Sequence, residues 1–281
     1  MEMVQVVKPL SLKNDDRLEI VFLGVGSAFA KTLNQTNFLI IKGNDHVLVD
    51  CGMKGPQALL DIAGLKTTDI EVILPTHSHA DHIAGIEELA ITNRYVGIPF
   101  LKKAKLKIVI TEEYERILWD HSLRGGLEWN ERTEEGIKLS FGNYFDTIRP
   151  RWKTFQPREI WEVYVGGIKI EMFRTKHIPE QSENWEASFV SYGLFVDDQV
   201  FLSCDTRYDP ELLAYYAPKS VIMYHDVQFF PGAVHAPLQN LRTQPPEVKS
   251  KLVFKHYTDN FREQDITDFA GWAQQGIRYI F

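Results

Sequence analysis

Ile70-Glu71-Val72-Ile73-Leu74-Pro75-Thr76-His77-Ser78-His79-Ala80-Asp81-His82 sets three histidines and an aspartate within six positions, directly behind a short apolar run. Strands fix positions while the loops after them vary, so α/β proteins gather binding groups there. His77 and His79, two apart in an extended turn, project the same way and suit one ion. Asp81 and His82, at the start of a helix, reach a second. Neutral imidazole and carboxylate oxygen fit zinc, manganese or iron, and three protein ligands with an open position is the catalytic arrangement. Histidines merely satisfied by core hydrogen bonds would not need this spacing.

Three further apolar runs end the same way. Ile168 to Arg174 leads to His177, Gln199 to Ser203 leads past Cys204 to Asp205, and Lys251 to Lys255 leads to His256. Other expected strands are Leu18–Val25, Asn37–Lys42, His46–Asp50, Lys107–Ile110, Ala187–Phe195 and Ser220–Tyr224, with a hairpin turn at Gly43-Asn44-Asp45. Helical patterns cover Pro56–Ala63, stopped by Gly64, then Ile83–Asn93, Glu112–Ser122, Pro210–Tyr216 and Ile266–Gln275. Hairpins followed by alternating strands and helices imply a layered α/β domain with mixed sheets. No repeat or linker interrupts residues 1–281, so one domain is expected, with an insertion around 94–160 whose least regular part is Gly125–Glu159.

Bulk properties narrow the function. Hydrophobic residues make up 44% and charged residues 25%, as in a globular protein with a real core. The net charge of −7 argues against wholesale binding to nucleic acid or anionic membranes. Nothing approaches the ~18–20 apolar residues that cross a bilayer, and Met1–Asp16 lacks the apolar core of an export signal. The two cysteines, Cys51 and Cys204, sit far apart in no metal-type spacing. A reduced, cytoplasmic chain is expected.

Thr76 to His82, followed in order by His177, Asp205 and His256, resembles the metallo-β-lactamase superfamily from Leu18 onward. The resemblance implies an α/β fold, a four-layer αβ/βα sandwich with two mixed β-sheets and two divalent metal ions at one edge. It places His77, His79 and His177 on the first metal, Asp81, His82 and His256 on the second, and Asp205 bridging both. Asp50, in Val49-Asp50-Cys51-Gly52, matches the family's first motif and would orient ligands from behind. Within the superfamily the chain is most similar to the ribonuclease Z and phosphodiesterase branch. Ser203-Cys204-Asp205-Thr206-Arg207 looks like that branch's Gly-Asp-Thr-Arg segment with Cys204 in place of glycine, and Gly24-Val25-Gly26-Ser27 matches its Gly-x-Gly-Ser turn. His225-Asp226 resembles its His-Glu pair, expected to orient neighbours. His235 falls where the branch keeps a catalytic histidine; Asp81 and His235 are the implied catalytic residues.

Departures from ribonuclease Z bear on the substrate. Leu202 stands where that enzyme carries a glutamate, Tyr257 replaces the common Phe-Ser, and no tRNA-gripping arm fits between His177 and Asp205. Similar proportions occur in small phosphodiesterases of the branch that act on cyclic nucleotides, including phage enzymes that destroy immune cyclic nucleotide signals. The expected function is therefore a binuclear hydrolase, zinc first among its metals, acting on a cyclic nucleotide or other small phosphodiester. The alternatives are tRNA 3′-processing, hydrolysis of another ester, thioester or lactam, and, last, a non-catalytic binder. A homodimer is compatible with the sequence. Arg149-Pro150-Arg151-Trp152-Lys153-Thr154-Phe155-Gln156-Pro157-Arg158 offers cations and aromatics to a polyanion, although a solvated charged insertion or a dimer contact explains it better. His46 and His121 are expected at the surface, as are the lysines of Lys102–Lys107.

Overall fold

A computed structural model describes all residues, Met1–Phe281. Its strands divide evenly between two sheets. In chain order, β1 (Glu2–Gln5), β2 (Glu19–Gly24), β3 (Asn37–Lys42), β4 (Asp45–Val49), β5 (Val72–Leu74), β6 (Leu106–Val109) and β7 (Phe145–Ile148) belong to the first. The second holds β8 (Arg151–Thr154), β9 (Ile160–Val165), β10 (Ile168–Arg174), β11 (Tyr192–Val196), β12 (Val200–Leu202), β13 (Ile222–Asp226), β14 (Leu252–Lys255) and β15 (Gly271–Trp272). The last strand, β16 (Ile277–Ile280), returns to the first sheet.

The chain forms two compact units. The first comprises Met1–Leu23, Asn37–Pro150 and Gly276–Phe281, built on the sheet ordered β1-β16-β2-β3-β4-β5-β6-β7. From β4 to β7 its strands run parallel. Every residue of β2 is buried, which explains the apolar run Ile20–Leu23 after Glu19: strands covered on both faces need not alternate. Gly43, at φ 59°, turns β3 into β4. Gly64, at φ 67°, closes the helical stretch through Ala63, donating its amide to the Leu60 carbonyl.

The second unit comprises Gly24–Thr36 and Arg151–Gln275, on the sheet ordered β15-β14-β13-β12-β11-β10-β9-β8. Strands β12 to β15 run parallel. Its core centres on Phe173, whose ring stacks on Phe201 with centroids 5.4 Å apart and meets Tyr216 at 4.7 Å. Gly193 is required there, because a Cβ would stand 2.3 Å from the Phe173 ring.

Several expectations are corrected. No helix spans Ile266–Gln275: Gly271–Trp272 instead pairs as β15 with β14, Gly271 lies at φ 134°, and Trp272 packs on Phe254, Tyr257 and Phe261. The stretch Gly125–Glu159 is irregular only in part: turns fill 128–140 and 155–159, but between them it supplies β7 and the edge strand β8. His46 is buried in β4, where its Nε2 accepts the Glu71 amide hydrogen at 3.1 Å, and burial lowers its pKa. Arg158 is fully buried against Asp209, 2.9 Å away, and donates to the Arg174 carbonyl, so it offers nothing to a polyanion. Lys153 pairs with Glu162 and Glu171, and Arg149 with Glu115. Cys51 and Cys204 are buried and form no disulfide.

Candidate metal centre

Parallel pairing of β4 with β5 brings their carboxyl ends level, Val49 facing Leu74. Asp50 follows at φ 59° and its amide binds the Leu74 carbonyl. Its carboxylate then accepts the Thr76 amide hydrogen at 2.7 Å, the Thr76 hydroxyl at 2.8 Å and the His82 Nδ1 hydrogen at 2.7 Å. With its own hydrogen given to Asp50, the Thr76 oxygen accepts from His77 Nδ1 at 3.0 Å. One buried carboxylate thus sets the tautomers of two histidines, with Nε2 as the lone-pair nitrogen in each. Their rings stand 4.2 Å apart, and His77 Nε2 lies 3.1 Å from His79 Nδ1. Asp81 Oδ2 is 3.3 Å from His82 Nε2. His79 caps the short helix Ala80–Ile83 in an extended conformation, which turns the chain between the two pairs.

In the second unit, β10 ends beside the Asp205 loop. Thr175 donates its hydroxyl hydrogen to the Asp205 carbonyl at 2.8 Å, and the Arg207 amide binds the Lys176 carbonyl. His177 is fully buried, and its Nδ1 donates to the Val234 carbonyl at 3.0 Å. Cys204 lies at φ 50°, which accounts for the glycine that the resemblance expects there, since this region favours residues without a Cβ. The buried Lys255 ammonium satisfies the Cys204 carbonyl at 3.1 Å. His256, at φ 57°, has Nδ1 on the Thr36 hydroxyl at 3.2 Å and Nε2 3.3 Å from Asp205 Oδ2. Donor atoms of Asp205, His235 and His256 lie within 4.8 Å of one another.

Asp226 ends β13 and accepts from the Thr206 amide at 3.0 Å and from His235 Nδ1 at 2.9 Å. Burial alone would raise its carboxyl, but the hydrogen bonds and charge of His225 and His235 hold it well below the usual carboxylate range. His225 is not among the clustered donors: its Nδ1 contacts the Asp226 carbonyl at 2.7 Å and its ring stacks over Phe201. Thr36, Thr76 and Gln228 were not singled out by sequence. Thr76 sits inside the motif and could have been; Thr36 meets its histidine 220 positions away, with no local signal.

The family model of the Anti-Pycsar protein Apyc1 matches residues 18–279. The chain belongs to this family. It is 33% identical over 257 residues to the Anti-Pycsar protein Apyc1 of Paenibacillus sp. (strain J14), covering 90% of this chain and 93% of that one. The Apyc1 of Bacillus phage BSP38 is 34% identical over 267 residues, covering 93% and 98%. Among solved structures, the metallo-β-lactamase fold protein YhfI from Bacillus subtilis aligns with a TM-score of 0.66 at 17% identity, over 95% of this chain and 100% of that one. A diphosphatase of the PhnP family aligns at 0.67 and 16% identity, over 94% and 98%, and human tRNase Z, short form, at 0.60 and 16%, over 93% and 98%. The two mixed sheets with their helices are those of the metallo-β-lactamase fold, an αβ/βα sandwich. The chain is a hydrolytic enzyme, and its clustered His and Asp donors lie just beyond strand ends. No helix is long and apolar enough to cross a membrane.

Proposed function

We propose that this member of the Apyc1 family is a binuclear metal-dependent phosphodiesterase acting on a cyclic nucleotide or another small phosphodiester. His77, His79 and His177 would hold one divalent ion, Asp81, His82 and His256 the other, and Asp205 would bridge them, with zinc first and manganese or iron next. The supporting observation is the spacing of donor pairs. His77 with His79 at 3.1 Å, Asp81 with His82 at 3.3 Å and Asp205 with His256 at 3.3 Å match the separation of about 3.3 Å between two ligands sharing one tetrahedral ion at 2.0–2.1 Å. His77, His82, His177 and His256 each commit Nδ1 to a neighbouring oxygen, the arrangement that aims Nε2 at a metal.

When bound, such ions lower the pKa of water towards neutrality and offset charge on the phosphoryl oxygens. The chain supplies the rest. Asp226 holds the His235 ring through Nδ1, so His235 would deliver a proton from Nε2 to the departing alkoxide, and Asp50 keeps His77 and His82 in register. The small substrate is favoured by the Apyc1 relatives of phages, by the resemblance to enzymes that destroy cyclic nucleotide signals, and by the unavailability of Arg158 to a polyanion. The deciding assay offers the zinc- or manganese-loaded protein cyclic nucleotides, bis-p-nitrophenyl phosphate, a pre-tRNA and a β-lactam. Preferential turnover of cyclic nucleotides is expected. Faster cleavage of pre-tRNA or lactam than of any cyclic nucleotide would overturn the reading.

A further inference from the structure

A cavity of about 220 Å³ opens beside the loop that carries His235. Its apolar wall includes Phe229, Phe230, Pro237 and Leu238; its polar wall is Gln239, Gln264 and Arg242, whose guanidinium donates to the Asp265 carbonyl. Phe229 is braced from behind by Trp272, edge-on at 6.0 Å. Flat apolar faces beside two amides, each able to donate and accept, form a receptacle for one heteroaromatic ring with a hydrogen-bonding rim. Amides serve any base edge, and stacking is tolerant of base identity.

The connection to His235 is covalent and short. Residues 229–237 form a closed loop, with the Gln228 amide on the Ala236 carbonyl at 3.0 Å and the Leu238 amide on the Gln228 carbonyl at 2.9 Å. The buried Gln228 side chain fills this loop. Its Nε2 donates to the carbonyls of Phe230 (2.9 Å) and Gly232, and its Oε1 accepts the His235 amide hydrogen at 3.2 Å. Phe230 and His235 are therefore held by one side chain on one loop. In a cyclic nucleotide a single ribose separates the base from the reacting phosphorus, so a base seat has to lie close to the group that protonates the leaving oxygen.

We propose that the Phe229–Leu238 cavity is the nucleobase subsite, with Gln228 fixing its distance from His235. This rests on the phosphodiesterase reading, but its test needs no turnover. Binding of 5′-AMP and ribose 5-phosphate to the zinc-loaded full chain, measured by calorimetry, isolates the base. AMP should bind about tenfold more tightly, as one stacked base allows. Phe230→Ala, at a residue 55% exposed and so tolerant of truncation, should cut that ratio to about threefold or less. Phe100→Ala, outside the cavity and also exposed, should leave it unchanged. Equal binding of the two ligands to the parent protein, or an unaltered ratio in Phe230→Ala, overturns the subsite. Loss of cyclic nucleotide hydrolysis with an intact base-dependent ratio would instead count against the proposed reaction alone.

Discussion

His235 Nδ1 lies 2.9 Å from Asp226 Oδ2, the same oxygen that accepts the Thr206 amide hydrogen. A carboxylate clamped from the Asp205 loop thus orients a histidine belonging to another loop. The His235 ring also stands 5.2 Å from that of His177 and 4.8 Å from that of His256, so proton transfer and metal binding are both within its reach. The two roles separate experimentally. His235→Ala is expected to retain both ions by elemental analysis while kcat falls roughly 10²–10⁴-fold on a cyclic nucleotide. The deficit should shrink with bis-p-nitrophenyl phosphate, whose nitrophenolate departs without a proton. Equal deficits on both substrates, or loss of metal, would remove the proton-donor role.

Asp205 and Asp50 should fail differently. Asp205→Ala would remove the proposed bridging ligand, so zinc should fall below the two equivalents expected of the parent, with activity down by more than about 10²-fold. Asp50→Ala removes only the support behind His77 and His82, and should weaken zinc by about 10–100-fold in chelator competition while high zinc restores turnover. A parent protein that saturates at one ion would refute the binuclear model.

The Arg158–Asp209 pair is fully buried on both sides. Asp209→Ala strands a guanidinium without its counter-charge and should cost about 3–5 kcal/mol, read from denaturant midpoints. Replacing both residues, as Arg158→Met with Asp209→Leu, should recover much of this loss, because the desolvation of two charges disappears with them. A single variant as stable as the parent would mean that the pair is not closed in solution.

His46 carries a pH signature. Burial lowers its pKa below the unfolded value, so the unfolded chain binds a proton first. Stability is fully present above about pH 6.5 and declines as pH falls below it, at no more than about 1.4 kcal/mol per pH unit for one proton. His46→Gln, which keeps an acceptor for the Glu71 amide, should flatten the fall in Tm between about pH 6.5 and 5. An identical slope in both proteins would exclude His46 as its source.

The sequence by itself determined what short range can carry. His77, His79, Asp81 and His82 are brought together by one turn and the first turn of a helix, so their spacing alone announces them. The strands Asn37–Lys42 and Ile168–Arg174 and the helix Pro210–Tyr216 are likewise legible, the strands as short local runs buried almost throughout and the helix by a spacing that matches its buried face. Only the tertiary structure decided the rest. Spacing in Ile266–Gln275 mimics a helix, yet pairing of Gly271–Trp272 with β14 and the aromatic cluster around Trp272 outweigh that weak local preference. Arg158 reads as a surface cation until Asp209, distant in sequence, closes over it. His46 reads as a surface residue until the Glu71 amide supplies the donor that makes burial affordable. Thr36 reaches His256, and Gln228 reaches Phe230, Gly232 and His235, through contacts that exist only once backbone and side chains have been packed. Local periodicity fixes where ligands can begin; the partners that orient them are set by packing.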